Sequence, residues 1–362
     1  MPFDADLIPQ AVTRYRRERD RYVKLADRIA GICRDEVCEQ NAIRAQVTFR
    51  VKTEKSFEVK LKRFSQTAGK NYSDVDQIFA GVNDLAGVRI AAYRLEDCER
   101  IVEHLKRACR GPQGEIEIDR KDRKSPNNEN YYRAIHAQVS LPEDQQIGTY
   151  DNVGDISCEI QICTMIAHVW NEIEHDIGYK PELGAPSADE QYHLAQFGRL
   201  VRQGDLLVSS LVAAHEQRVS AKPTEDQPAT DRHNFVDVHD FVSRMRDFGG
   251  GQMTNFSENS GQLLDLLIDL NLASPQSLLE VMKNFDPLTA RAEIDSFNSH
   301  LTETGVDGVY LDLQTSDLLL VALLDRKLPE IMTELKGRAG RGRGRPSRLH
   351  RIAVRYQTFL NR

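Results

Sequence analysis

Nowhere in the chain do about 18 apolar residues run together, and the first ten residues contain no basic stretch leading into an apolar run. Neither a membrane-spanning helix nor a secretory leader is expected, so the chain reads as soluble and cytoplasmic, with no membrane partner. Its six cysteines (Cys33, Cys38, Cys98, Cys109, Cys158 and Cys163) include no CxxC pair and no Cys/His cluster at zinc spacing. That excludes a zinc ribbon or finger and a disulfide scaffold, and leaves reduced thiols used mainly for packing. There is no internal repeat. Low complexity is confined to one short Gly/Arg run near the end, Gly337 to Arg348.

What is present is ample material for folding and an uneven charge. With 362 residues, 40% of them apolar, the chain can bury two cores. The net charge is -7, yet Lys336 to Arg362 carries nine basic residues and no acid, which leaves -16 on the rest. An acidic body with a basic tail suits contact with a nucleic-acid backbone or with the body itself.

Five segments are expected. Residues 1–46 read as N-terminal helices, with Arg14, Arg16, Arg17, Arg19, Arg21, Lys24 and Arg28 on a solvated face between Val12, Tyr15, Tyr22, Leu25 and Ile29. Residues 47–218 alternate short β-rich runs (Gly87 to Tyr93, Glu115 to Asp119, Tyr132 to Leu141, Ile156 to Cys163) with helices, predicting an α/β domain built on a mixed sheet. Residues 219–234 have the composition of a linker. Residues 235–335, with Leu263 to Leu270, Ser277 to Met282 and Asp317 to Leu324, read as an all-α accessory domain. Residues 336–362 read as a basic Arg/Gly-rich tail.

The polar residues of the α/β part are ordered. If the segment is helical from its start, the spacing of Lys52, Ser56 and Lys60 puts them on one face, a row that can hold a polyphosphate. In Ile156 to Cys163, alternation sends Glu159 and Gln161 away from the core side of Cys158, Ile160 and Ile162. In the strand before it, Tyr132, His136 and Gln138 share a face opposite Ile135, Ala137 and Val139. Tyr132 and His136 thus suit stacking and hydrogen bonding to a base. Asp84 stands just before an apolar strand containing Gly87 and Arg89, a natural partner for Glu159 on a hard divalent cation that wants oxygen ligands.

In order, Arg50-x-Lys52, Ser56, Lys60, Asp84-Leu-Ala-Gly-Val-Arg89, Tyr132-Arg-Ala-Ile-His136, Glu159-Ile-Gln161-Ile-x-Thr164, Trp170, Glu174-His175 and Tyr179-Lys180 closely resemble the RelA/SpoT alarmone synthetases over about residues 45 to 180. The resemblance implies a nucleotidyltransferase-like synthetase domain in which Arg50 and Arg89 sandwich the adenine of ATP while Lys52, Ser56 and Lys60 hold its phosphates. Asp84 and Glu159 would be the catalytic carboxylates and the Mg²⁺ ligands, Glu159 also taking the proton of the attacking 3′-hydroxyl. Tyr132 would stack on the acceptor base, with His136, Gln161 and His168 on the acceptor side. Lys121, Arg123 and Lys124 would hold the 5′-phosphates of a nucleotide or a tRNA backbone.

Three positions depart from the family pattern, all on the acceptor side: Asn130-Tyr131-Tyr132 replaces Asn-Gly-Tyr, Cys163 stands where the family has Arg, and His168 where small synthetases usually have Asn. The resemblance therefore still implies ATP as donor and leaves the acceptor open. One reading is Mg²⁺-dependent transfer of pyrophosphate to GTP, GDP or an adenosine nucleotide, making (p)ppGpp-type alarmones. The other is a toxic small alarmone synthetase that pyrophosphorylates the tRNA 3′ end and blocks translation, in a toxin-antitoxin or phage-defence setting. A third, from another class, is a catalytically inactive binding module. The helical domain would position tRNA, restrain the site, or bind an antitoxin or regulatory ligand. Small synthetases often form tetramers, so the resemblance also implies self-association as a homo-oligomer. His239-Asp240 is an isolated dipeptide, so no hydrolase half is expected.

Overall fold

The computed structural model describes residues 3–4, 6–67, 69–122, 132–178, 184–220, 233–245, 248, 253–306, 309–336 and 347–361. The chain forms two compact units, one from residues 1–37 and 44–214, the other from residues 38–43 and 215–362.

The first unit opens with helix α1 (Leu7–Ile32), whose Ala11, Tyr15, Tyr22, Leu25, Ala26 and Ile29 recur at three- and four-residue spacing and are all buried. The expected helical stretch continues as a π-helical turn and a 3₁₀ turn to Asn41, and ends where Ala42 takes a left-handed conformation (φ 49°). Next come β1 (Ala45–Val51), α2 (Glu54–Ser65), α3 (Val75–Gly81), β2 (Ala86–Ala92), α4 (Leu95–Ala108), β3 (Ile118–Asp122), β4 (Arg133–Val139), β5 (Cys158–Thr164), α5 (Met165–Gly178) and α6 (Ala188–Ser220). Thr53 caps α2 by accepting a hydrogen bond from the Ser56 amide, and Asp74 caps α3 in the same way.

The five strands form one mixed sheet in the order β1-β2-β5-β4-β3, with β2 and β5 parallel and the other neighbours antiparallel. β1 was not among the expected strands, because it is an edge strand whose apolar Phe49 is 42% exposed, leaving no buried run to announce it. The arginines of α1 are not simply a solvated face. Arg16 pairs with Glu54 at 2.7 Å, Arg14 and Arg21 pair with Asp76 and Asp155, and the Arg28 guanidinium donates to Gln145 at 2.7 Å.

The second unit is helical throughout its described elements: α7 (Val238–Met245), α8 (Ser260–Asp269), α9 (Pro275–Val281), α10 (Pro287–Glu303), α11 (Asp317–Leu335) and α12 (Arg348–Leu360). Phe241, Leu266, Leu267, Ile294, Phe297, Leu318, Leu323, Ile352 and Tyr356 belong to its single apolar core. Pro329 lies inside α11, and Lys327 just before it leaves helical geometry, because the ring removes a backbone donor and crowds the preceding turn.

One expectation is corrected here. The basic tail does not run from 336 to the end, since Leu349, Ile352, Ala353 and Tyr356 turn residues 348–360 into a core helix. The Arg348 guanidinium binds the fully buried carboxylate of Asp317, 2.6 Å at the closer contact. The Arg/Gly run itself, 337–346, lies outside the described residues, as does most of the expected linker (221–232). Among the described residues no helix is long and apolar enough to cross a membrane.

Candidate active site

The sheet register brings the polar residues into two rows on one face. Arg50, Gly87, Glu159 and Gln138 stand side by side on β1, β2, β5 and β4, and Thr48, Arg89, Gln161, His136 and Asp119 form the next row. Five residues widely separated in sequence thus become lateral neighbours. The side chain of Arg50 lies across Gly87, where an added β-carbon would stand 3.6 Å from Arg50 Cγ.

Asp84, in the turn before β2, is shared by two lysines: Lys52 Nζ lies 3.0 Å from Oδ2 and Lys60 Nζ 2.7 Å from Oδ1. The expected single helix face for Lys52, Ser56 and Lys60 is corrected, because α2 begins at Glu54 and only Ser56 and Lys60 lie on it. Lys52 reaches the same place from the end of β1, anchored by its amide to the Leu85 carbonyl (3.0 Å) and by its carbonyl, which accepts from the Tyr15 hydroxyl (2.6 Å). Ser56 is exposed at the start of α2, its Oγ accepting from Thr53 Oγ1 at 2.8 Å. Burial works against the charge on Asp84, but Lys52 and Lys60 outweigh it and hold the carboxyl below its ordinary range.

Glu159 is the centre of a second chain of contacts. Its Oε1 lies 3.0 Å from His136 Nδ1, its Oε2 accepts from Gln161 Nε2 at 2.9 Å, and the Tyr132 hydroxyl lies 2.9 Å from His136 Nε2. Nδ1 thus faces the carboxylate and Nε2 the Tyr132 hydroxyl, linking the three side chains in one chain. Burial again opposes ionisation of Glu159, and the His136 and Gln161 hydrogen bonds overcome it, so its carboxyl too is held below its ordinary range. Tyr132 packs against a small cluster of Ala134, Cys163, Ala167, Trp170 and Val201. Cys163 is buried there, its thiol pushed up to about 12 by that burial.

Two oxygen-bearing carboxylates, Asp84 and Glu159, flank the second strand, close enough for Asp84 to oppose the charge on Glu159. Oxygen-only donors of this kind fit a hard divalent cation such as Mg²⁺, which keeps part of its water shell and takes one or two protein carboxylates. Among the described residues no group of three or more His, Cys, Asp or Glu side chains converges.

The remaining site residues divide. Lys121 lies on edge strand β3 across from Ala134, its Nζ 3.5 Å from Asp119. Arg120, beside it, pairs instead with Glu99 on α4 at 2.7 Å. Arg123 and Lys124 lie outside the described residues, as do Tyr131, Tyr179 and Lys180. His168, expected on the acceptor side, has Arg89, Glu172 and Arg50 as its electrostatic neighbours. Burial first, and Arg89 next, lower its pKa. Sequence reasoning missed Glu172, whose Oε1 accepts from the Arg89 guanidinium at 2.6 Å. The available signal was its place on α5 one turn after His168.

Residues 49–183 match the family described as "Region found in RelA / SpoT proteins". No curated protein matches the chain. Similar solved structures include small alarmone synthetase 1 from Bacillus subtilis (21% identity, 56% of this chain and 98% of that chain, TM-score 0.44). The same synthetase bound to its product pppGpp also matches (22% identity, 56% and 97%, TM-score 0.43). So does a GTP pyrophosphokinase family protein from Streptococcus pneumoniae (24% identity, 60% and 96%, TM-score 0.40). Residues 49–183, on the sheet and helices that present both polar rows, thus carry the region found in RelA/SpoT proteins.

Proposed function

We propose that this protein is a GTP pyrophosphokinase-like enzyme that transfers the β,γ-pyrophosphate of ATP to the 3′-hydroxyl of a guanosine nucleotide, yielding a (p)ppGpp-type alarmone and AMP. The observation that carries this reading is the pairing of Asp84 with Lys52 and Lys60 beside the Tyr132-His136-Glu159-Gln161 chain, all on the face of the family region. Lys52 just before α2 and Lys60 midway along it, both on Asp84, suit the triphosphate, and the exposed Ser56 at the first turn of that helix adds a hydroxyl. Arg50 and Arg89 offer guanidinium planes for the adenine.

Asp84 and Glu159 would hold Mg²⁺, which when bound neutralises phosphate charge developing in transfer. The acceptor's 3′-oxygen attacks the β-phosphorus, the bond from that phosphorus to the α,β-bridging oxygen breaks, and AMP leaves. Glu159, kept ionised by His136 and Gln161, is available to take the hydroxyl proton at neutral pH. Lys52 and Lys60 hold the phosphates in line, so that catalysis is mainly positioning and charge neutralisation. Tyr132 and His136 face the acceptor's base and sugar.

The test is to incubate the protein and Mg²⁺ with ATP labelled in the γ-phosphate, offering GTP, GDP, ATP and deacylated tRNA together. Label in a guanosine nucleotide supports the proposal. Label at the tRNA 3′ end moves the acceptor to tRNA and makes the protein a translation-blocking toxin. Label in no acceptor refutes pyrophosphate transfer.

A further inference from the structure

We propose that Glu172 is a positioning residue of the ATP site, fixing the Arg89 guanidinium in the orientation that stacks on the donor base. The proposal rests on the assignment of Arg50 and Arg89 to the adenine. Arg89 rises from β2 between β1 and β5, and its guanidinium meets the Glu172 carboxylate at 2.6 Å. An arginine side chain loses much rotamer freedom when ordered, and a planar group stacks well only when its plane is set beforehand. A carboxylate bonded to the edge of the guanidinium sets that plane and leaves both faces open to a ring.

The two ends of the pair differ in a way that suits this task. The Arg89 side chain is 18% exposed and that of Glu172 is 50% exposed. The anchor therefore sits at the outer rim, and the cation it orients lies on the sheet floor beside the row of Arg50 and Gly87. Arg50, the other guanidinium of the expected sandwich, is exposed and lies over Gly87. One wall of the base slot is thus held in place before ATP arrives, and the other is left to close on it. Arg89 and Glu172 come from different elements, so the orientation depends on α5 packing against the sheet.

His168 occupies the position on α5 where it could disturb the pair, one turn before Glu172 on the same face. Its imidazole is shifted toward the uncharged form by burial and by the Arg89 guanidinium. At neutral pH it does not compete with Arg89 for the carboxylate.

The experiment uses the full chain, with Glu172→Gln, Glu172→Asp, Arg89→Ala and the Glu172→Gln/Arg89→Ala double variant. Binding of a non-hydrolysable ATP analogue is measured by calorimetry, and KM and kcat are measured for both substrates. Glu172→Gln is expected to weaken analogue binding about tenfold, the scale of one lost charge-assisted hydrogen bond. The ATP KM should rise in parallel while kcat and the acceptor KM stay within about twofold. Glu172→Asp should recover most of the loss, and Glu172→Gln should add nothing once Arg89 is alanine. Unchanged analogue binding, additive losses in the double variant, or a shift confined to the acceptor KM would each overturn the assignment. The binding cycle needs no turnover, so it decides the role of Glu172 even if label transfer rejects the proposed reaction.

Discussion

Asp84→Asn removes one charge and almost no volume from the centre of the site, and it should lower stability and turnover while raising affinity for metal-free ATP. In the native protein the carboxylate holds Lys52 at 3.0 Å and Lys60 at 2.7 Å, with the three side chains 18 to 26% exposed, so the pairs are neither fully screened nor dry. The amide can still accept one hydrogen bond, and hydrogen bonds to charged groups are worth about 1.5–3 kcal/mol, so stability should fall by about 1–3 kcal/mol. Metal-free ATP should bind more tightly, because a like charge next to its phosphates is gone; at contact distance such a charge is worth about 1–4 kcal/mol, or at least about fivefold in affinity. Turnover with Mg²⁺ should drop by about 10² to 10³ through loss of a preorganised electrostatic group. Calorimetry with ATP and a chelator, a thermal melt, and γ-label transfer give the three readouts. The sign of the pH dependence follows as well. Since the folded carboxyl titrates below its ordinary value, its contribution is full above about pH 4 and is lost as pH falls through the lower folded value. The variant's acid-side stability should be correspondingly flatter. Weaker binding of metal-free ATP, or undiminished turnover, would refute the reasoning about Asp84.

Three further outcomes are expected. Glu159→Gln leaves one of its two donors, His136 or Gln161, facing an amide nitrogen; single-turnover label transfer should fall by about 10² or more while the melt shifts little. Full activity in that variant would remove Glu159 from the mechanism. Arg348→Ala takes the cation from the Asp317 carboxylate, 1% exposed, leaving it only the neutral donors Asp312 N and Asn259 Nδ2; the helical unit should lose about 3–5 kcal/mol in denaturant titration, so a loss under about 1 kcal/mol would contradict the buried pair. Removing residues 347–362 takes α12 and its buried Leu349, Ile352 and Tyr356 out of the core; the helical unit should lose its cooperative thermal transition, and a retained sharp melt would show the helix to be dispensable.

Several features were legible from local pattern. The alternation around Glu159 and His136 assigned each side chain to a face, and the register agrees, with His136 opposite Gln161 and Gln138 opposite Glu159. Burial of Tyr15, Leu25 and Ile29 followed from helical spacing. Other features failed for identifiable reasons. β1 is an edge strand with an exposed Phe49, so its signal was weak. The helix at 348–360 was obscured by arginines that made the whole tail look solvated, although four of its residues face a core. The single face for Lys52, Ser56 and Lys60 required a helix starting at Lys52; Thr53 caps it instead, so α2 begins at Glu54 and Lys52 stays outside.

By itself the sequence determined what depends on near neighbours in the chain: most element types, which side chains of a strand share a face, and the ordered motifs that mark the RelA/SpoT region. Only the tertiary structure decided which faces meet. The order β1-β2-β5-β4-β3 puts residues 50, 87 and 159 in one row, joins Lys52 and Lys60 on Asp84, and sets Glu172 against Arg89. Such meetings rest on strand pairings and helix packing between distant segments, and no local periodicity encodes them.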